Sequence, residues 1–285
     1  MADLAHGAGV AGGSISYLEA AVLGVVQGLT EFLPISSTAH LRVVPALLHW
    51  PDLGVAFSAV IQLGSLVAVL AYFFQDLVRI AGGTIKALKN KDFSGPEVRL
   101  AGAIIIGTIP VVVLGLILKP FMEQLRSLYV IGGAAIFMGL FLLYAEKKAK
   151  HIKSIEQMGA KDGLIVGIGQ AMALVPGCSR SGSTLTFAML LGLNRADAAR
   201  FSFLLGIPAI FASGMLELKE MLDAGLSGES MGALAVGLFT SLIVSYLSIA
   251  WLIKFLQNSN TYVFVGYRLL FGAITIFLAA SKLIE

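Results

Sequence analysis

The chain has 285 residues, 57% of them hydrophobic and only 13% charged, with a net charge of +3. A soluble domain is roughly a quarter charged, so a soluble fold is excluded and a polytopic α-helical membrane protein is what remains. Cys178 is the one cysteine, which excludes an internal disulfide and any multi-cysteine metal site. The N-terminal stretch "MADLAHGAGVAGGSIS" has no basic region ahead of its apolar run, so no cleaved signal peptide is expected there.

In chain order, the first membrane-like segment is interrupted by "QGLTEFLPISSTAH", Gln27 to His40. Pro34 breaks its helix, and the pieces on either side are too short to span. Three full spans are predicted next, at about 54–74, 98–118 and 127–146. A second interrupted segment follows, carrying "PGCSRSGST" from Pro176. Three further spans are predicted at about 201–218, 231–255 and 262–282. The 32 glycines suit closely packed membrane helices.

The two halves repeat each other, about 18–147 against 163–283. "GVVQGLTEFLPISST" from Gly24 echoes "GIGQAMALVPGCSRSGST" from Gly167, and Phe57-Ser58 falls on Phe201-Ser202. Gly102 and Gly107 fall on Gly232 and Gly237, and the segment from Tyr129 matches that from Tyr262. An odd number of spans per half makes the second half enter upside down. The expected fold is all-α, an inverted-topology repeat in one membrane domain, with about six full transmembrane helices and two broken re-entrant helix pairs. Both termini are expected outside. The loops then predicted inside hold thirteen basic residues: Arg79, Lys86, Lys89, Lys91, Arg99, Lys147, Lys148, Lys150, Lys153, Lys161, Arg195, Arg200 and Lys254. The outside segments hold Arg42, Lys119, Arg126, Lys219 and Lys282. That asymmetry follows the positive-inside rule. Arg180 and Arg268 fall within the membrane region, where a cation is costly and usually functional.

The two breaks carry the chemistry. Gln27 and Glu31 share a helix face at i, i+4. Ser36, Ser37 or Thr38 is placed to cap the helix after Pro34, and His40 lies on its first turn. In the other break stand Ser179, Arg180, Ser181 and Thr184. A helix N-terminus suits an anion, and the arginine fork matches phosphate oxygens. One carboxylate, one histidine, hydroxyls and anion-binding groups read as phosphoryl chemistry. Plainer readings exist for single residues: back-bonded hydroxyls, Gln27 as interhelical glue, a structural Glu31–Arg180 pair, and Arg268 snorkelling or ion-paired rather than partnering the site. No G-x-x-x-x-G-K-[ST] loop and no HExxH helix occurs.

Both motifs resemble those of the undecaprenyl-diphosphate phosphatase family, also called the bacitracin-resistance protein family. The first resembles [E/Q]-x-x-x-E followed by F-L-P-[IV]-S-S-T-x-H, and the second P-G-x-S-R-S-G-x-T. The resemblance extends to "FSFLLGIPA" and to Tyr267-Arg268. It implies a hydrolase of the bacterial inner membrane that removes the terminal phosphate of undecaprenyl diphosphate, recycling the lipid carrier for peptidoglycan and other envelope polymers. It also implies a divalent cation, expected as Mg²⁺ with Ca²⁺ as the alternative, held by Glu31 and Gln27. Glutamine at the first acidic position leaves one fewer negative charge for that cation. The resemblance assigns Glu31, Ser37, His40 and Arg180 to catalysis. Gln27, Ser36, Thr38, Ser179, Ser181, Thr184 and Arg268 are assigned to substrate binding. Ser37 attacking phosphorus, with His40 or Glu31 as base, and direct attack by an activated water both remain open. A site opening toward the periplasm is expected, with membrane lipid as a partner, a homodimer as a further possibility, and no nucleic acid. The alternative class is a transporter or flippase of an anionic lipid, since broken half-helices also build carriers.

Overall fold

The computed structural model describes residues 15–122, 124–223, 225 and 228–284. Most of the N-terminal stretch read for a signal peptide lies outside them. Among the described residues there are eleven α-helices and no strand: α1 (Tyr17–Phe32), α2 (Ser37–Leu48), α3 (Gly54–Tyr72), α4 (Phe74–Asn90), α5 (Pro96–Leu118), α6 (Leu128–Lys148), α7 (Ala160–Met172), α8 (Arg180–Leu190), α9 (Arg195–Asp223), α10 (Gly228–Asn258) and α11 (Tyr262–Ala280). Six are long and apolar enough to cross a membrane: α3, α5, α6, α9, α10 and α11. They correspond to the six spans predicted from hydropathy, and the chain is an all-α polytopic membrane protein. The start of α9 at Arg195 precedes the expected boundary by one and a half turns.

The segment at 75–99, expected as a loop, is mostly the helix α4. Its exposed apolar residues Phe74, Val78, Ile85 and Leu88 fall on one stripe, with Arg79, Lys86 and Lys89 beside it. Hydropathy averaging hides such a helix, because its two faces cancel.

Local chemistry sets the breaks. A capping box between Ser16 and Glu19 starts α1. Leu33, before Pro34, takes the extended backbone that a following proline imposes and ends it. The second break lies between α7 and α8, with Pro176 in it. The helices after the breaks start alike. Ser36 caps α2 at φ 78° and Ser179 caps α8 at φ 68°, a left-handed backbone that strains a residue with a side chain. Ser37 and Arg180 therefore occupy matching first positions of α2 and α8.

Packing between the two segments is reciprocal. α1 packs along α10 and α7 along α5, while α3 crosses α9 and α6 crosses α11. Gly24 lies against the Gly237 carbonyl, and its matching residue Gly167 lies against the Gly107 carbonyl. A Cβ at Gly24 or Gly167 would overlap backbone, so these crossings depend on small residues. The reciprocity brings the two breaks face to face. Ser181 Oγ donates to the Leu33 carbonyl at 2.9 Å. The guanidinium of Arg268 donates to the carbonyls of Pro34 (3.0 Å), Gly177 (2.8 Å), Cys178 (3.0 Å) and Ala135 (3.3 Å). Broken helices leave carbonyls without internal partners, and in an apolar medium each needs a donor. Arg268 supplies donors to both breaks at once.

Candidate active site

The facing breaks close one side of a cavity of about 320 Å³. Gln27, Glu31, Ser36, Ser37 and Thr38 line it from the first break, and Gln170, Pro176, Ser179 and Arg180 from the second. Its remaining wall is largely apolar, built mainly from α5 (Val111, Val112, Leu116) and α9 (Ala209, Ile210, Leu216), with Leu41 of α2 and Val55 and Ala59 of α3. Lys119, Arg126 and Glu217 stand at its charged end. Lys119 is ion-paired with Glu217 and Glu220, and Arg126 with Asp52.

Glu31 is the centre, only 3% exposed. Its Oε2 accepts from Ser37 Oγ at 2.6 Å and from Gln27 Nε2 at 2.8 Å. Its Oε1 accepts from Gln62 Nε2 at 2.6 Å and from Arg180 Nη2 at 2.8 Å. Four donors satisfy the carboxylate and keep it ionised in an apolar surround. Gln27 is itself held by Ser65 (3.3 Å), which bonds Ser241 and Ser245 on α10. The Nη1 end of Arg180 points at Gly206 of α9, where a Cβ would collide with the guanidinium. Gly206 matches Gln62 in the repeat. One half thus gives a hydrogen bond to the centre, and the other gives room.

Seven of the sequence-predicted residues line the cavity: Gln27, Glu31, Ser36, Ser37, Thr38, Ser179 and Arg180. Four do not. His40 Nδ1 donates to the Ser36 carbonyl at 2.7 Å, which leaves Nε2 to accept from Tyr267 Oη at 2.6 Å. Its ring stacks on Phe271 and lies nearly parallel beside Tyr267. With both nitrogens engaged, it holds the strained Ser36 and does not contact Ser37 Oγ. Arg268 and Ser181 clasp the breaks, as described. Thr184 bonds back to the Arg180 carbonyl (2.8 Å) and meets Ser202. Each of the four acts on backbone or on another element, because residues one turn beyond a helix start already point into packing.

Gln62 and Gln170 escaped the residue-by-residue reading. An amide in mid-span of α3 was the signal for Gln62. For Gln170 it was the match to Gln27.

Oxygen donors from Glu31, Gln27, Gln62 and Ser37 suit a hard divalent cation. Among the described residues, however, no three His, Cys, Asp or Glu residues cluster to cage one. Such a donor set fits Mg²⁺ that keeps water and shares substrate phosphates, the usual habit of that ion. Chemically, the arrangement pairs a hydroxyl with a carboxylate acceptor and sets a guanidinium beside both. That is the layout of an activated nucleophile next to an anion site.

Comparisons with known proteins agree with this geometry. The family model described as bacitracin resistance protein BacA matches residues 20–274. The protein named undecaprenyl-diphosphatase in Gloeobacter violaceus is 56% identical over 274 residues, covering 95% of this chain and 94% of its own. Its namesake in Synechococcus elongatus is 52% identical, covering 94% of both chains. The one in Synechocystis sp. is 53% identical over 92% of this chain and 82% of its own. With the model matched across both breaks and full-length relatives at this identity, the chain belongs to the bacitracin resistance protein BacA family.

Proposed function

We propose that this protein hydrolyses undecaprenyl diphosphate to undecaprenyl phosphate and inorganic phosphate, returning a lipid carrier to cell-wall synthesis. The observation that carries the reading is the Ser37 hydroxyl, 2.6 Å from the Glu31 carboxylate, in a cavity shared with Arg180. The names of the close relatives support it. The apolar wall of α5 and α9 suits an isoprenyl chain, and the polar end suits a diphosphate.

In this mechanism the diphosphate enters beside Arg180, whose guanidinium exchanges Glu31 for phosphate oxygens. Ser37 Oγ attacks the terminal phosphorus while Glu31 takes its proton. The new P–O bond forms as the anhydride P–O bond breaks, and undecaprenyl phosphate leaves carrying the proton that Glu31 took, so the carboxylate is again free to act as base. Water then attacks the phosphoserine, giving its proton to Glu31, and phosphate departs as Ser37 is reprotonated. Glu31, not His40, is the base, because it alone of the two contacts Ser37 Oγ. Glu31 and the amide oxygens of Gln27 and Gln62 would hold a divalent cation, which when bound would neutralise phosphate charge. We place the protein in the bacterial inner membrane as an inverted repeat with both termini outside. The cavity end at Lys119, Arg126 and Glu217 then faces the periplasm, in keeping with the charge asymmetry of the loops.

Phosphate release from undecaprenyl diphosphate by purified protein tests the function. Wild type should release phosphate, and Glu31→Gln should abolish release while leaving the protein folded. A radiolabelled terminal phosphate should be trapped on Ser37 in rapidly quenched wild type and absent in Ser37→Ala. Active enzyme without a trapped phosphoserine, together with residual turnover in Ser37→Ala, would favour direct attack by water. Wild type that binds the lipid and releases nothing would point to a carrier instead.

A further inference from the structure

Gln170 stands out in the cavity wall. It is completely buried, and neither its amide nitrogen nor its amide oxygen has a hydrogen-bond partner. Native proteins almost always satisfy such a group, so a buried orphan amide needs an explanation. Arg180, beside the same cavity, repeats the pattern. Its Nη2 is bound to Glu31, while Nε and Nη1 have no partner. Two polar side chains of one cavity wall thus keep donors unused.

The repeat sharpens the point. Gln170 matches Gln27, and Arg180 matches Ser37. In the first half the matched pair is fully engaged, through Glu31. In the second half the carboxylate has no counterpart: the stretch after Gln170 is Ala171, Met172, Ala173 and Leu174. The second half-site therefore lacks an anion, where the first has one built in. A phosphoryl group would supply it. A diphosphate has two such groups, and the molecule has two half-sites.

We infer that Gln170 is a substrate-binding residue that, with Arg180, holds the phosphate bonded to the lipid, while the Gln27–Glu31–Ser37 half-site works on the terminal phosphate. The inference rests on the diphosphate reading above and deepens it. Placement of the two phosphates follows from the walls. The apolar wall includes α5, and α5 packs along α7, the helix of Gln170, not along α1. A lipid tail lying on α5 brings its own phosphate to the Gln170 side. The consequence is selectivity: a diphosphate engages both half-sites, and a monophosphate engages one.

The test uses Gln170→Leu, which keeps the volume and removes the amide, in purified full-length protein with saturating Mg²⁺. The probes are methylenediphosphonate, which cannot be hydrolysed, and orthophosphate, each titrated by thermal shift. Loss of a hydrogen bond to a charged group should weaken diphosphonate binding about ten-fold or more, with orthophosphate changed by less than about two-fold. The melting temperature of the free variant should stay level or rise, because an orphan amide has been removed. Diphosphonate binding equal to wild type would overturn the inference. So would a lower melting temperature with both probes weakened alike, which would make Gln170 a packing residue. Gln170→Met is read by the same criteria if Gln170→Leu does not fold. Because binding needs no turnover, wild type that binds diphosphonate but releases no phosphate would sink the enzymatic reading and leave this one to its own readout.

Discussion

Arg180 shows how far a single residue could be read from sequence and where structure had to take over. A cation inside an apolar break announces a function, and its fork is built for phosphate. Arg180→Lys should lower turnover about ten-fold or more, equivalent to about 1.4 kcal/mol of transition-state stabilisation; near-normal turnover in a phosphate-release assay would make the residue structural. Nothing in the sequence said that Gly206 makes the space for that side chain. Gly206→Ala should therefore act like an Arg180 variant: membrane insertion kept, phosphate release reduced about ten-fold or more. Retained activity would show that the guanidinium can work from another position. Glu31 and Ser37 were legible because charge and hydroxyl clusters are conspicuous in apolar sequence. The sequence left His40 and Glu31 open as the base, and the structure engages both ring nitrogens of His40 with Ser36 and Tyr267, because neighbours in a motif are not always neighbours in space. Its partner, Tyr267, is 227 residues away, and no local pattern reports such a contact.

Among elements, the breaks were legible and their clasp was not. Proline and serine mark where α1 and α7 stop, but which donors take over the freed carbonyls depends on α11 crossing both breaks. Arg268, assigned to substrate by the resemblance, spends its donors on four backbone carbonyls. Arg268→Met should then destabilise the protein by about 3 kcal/mol or more, since several buried acceptors lose their donor together. A thermal melt of the purified variant checks this. An unchanged melt with lost activity would return Arg268 to the substrate. The helix α4 was missed because its apolar stripe is periodic and not continuous. Its stripe and its flanking lysines are those of a helix lying in the membrane interface. Spin labels along residues 74–89 should show oxygen accessibility with a period of about 3.6 residues. Uniform aqueous accessibility would return the segment to a solvated surface.

For the whole molecule, the six spans were readable because hydropathy is a long-range pattern that survives when individual residues diverge. The contacts between halves were not, since sequence repetition does not say which helix of one half meets which helix of the other. The proposed orientation rests on the basic loops, and under it a fusion of alkaline phosphatase after residue 90 should be inactive, because that reporter requires an oxidising compartment. Strong reporter activity would reverse the topology. The reciprocal packing has a further consequence, in time. Helix α1 finds its main partner only in α10, roughly 200 residues later, and at a synthesis rate of about 5–20 residues per second it waits on the order of 10–40 s. Throughout that interval Gly24 and Gly28 are exposed to lipid, to quality-control proteases and to wrong neighbours. Errors at this crossing should therefore appear as missing protein, not as slow enzyme. Gly24→Leu is expected to be degraded soon after synthesis, and a pulse-chase that finds it as long-lived as wild type would show that α1 can be held by something other than α10.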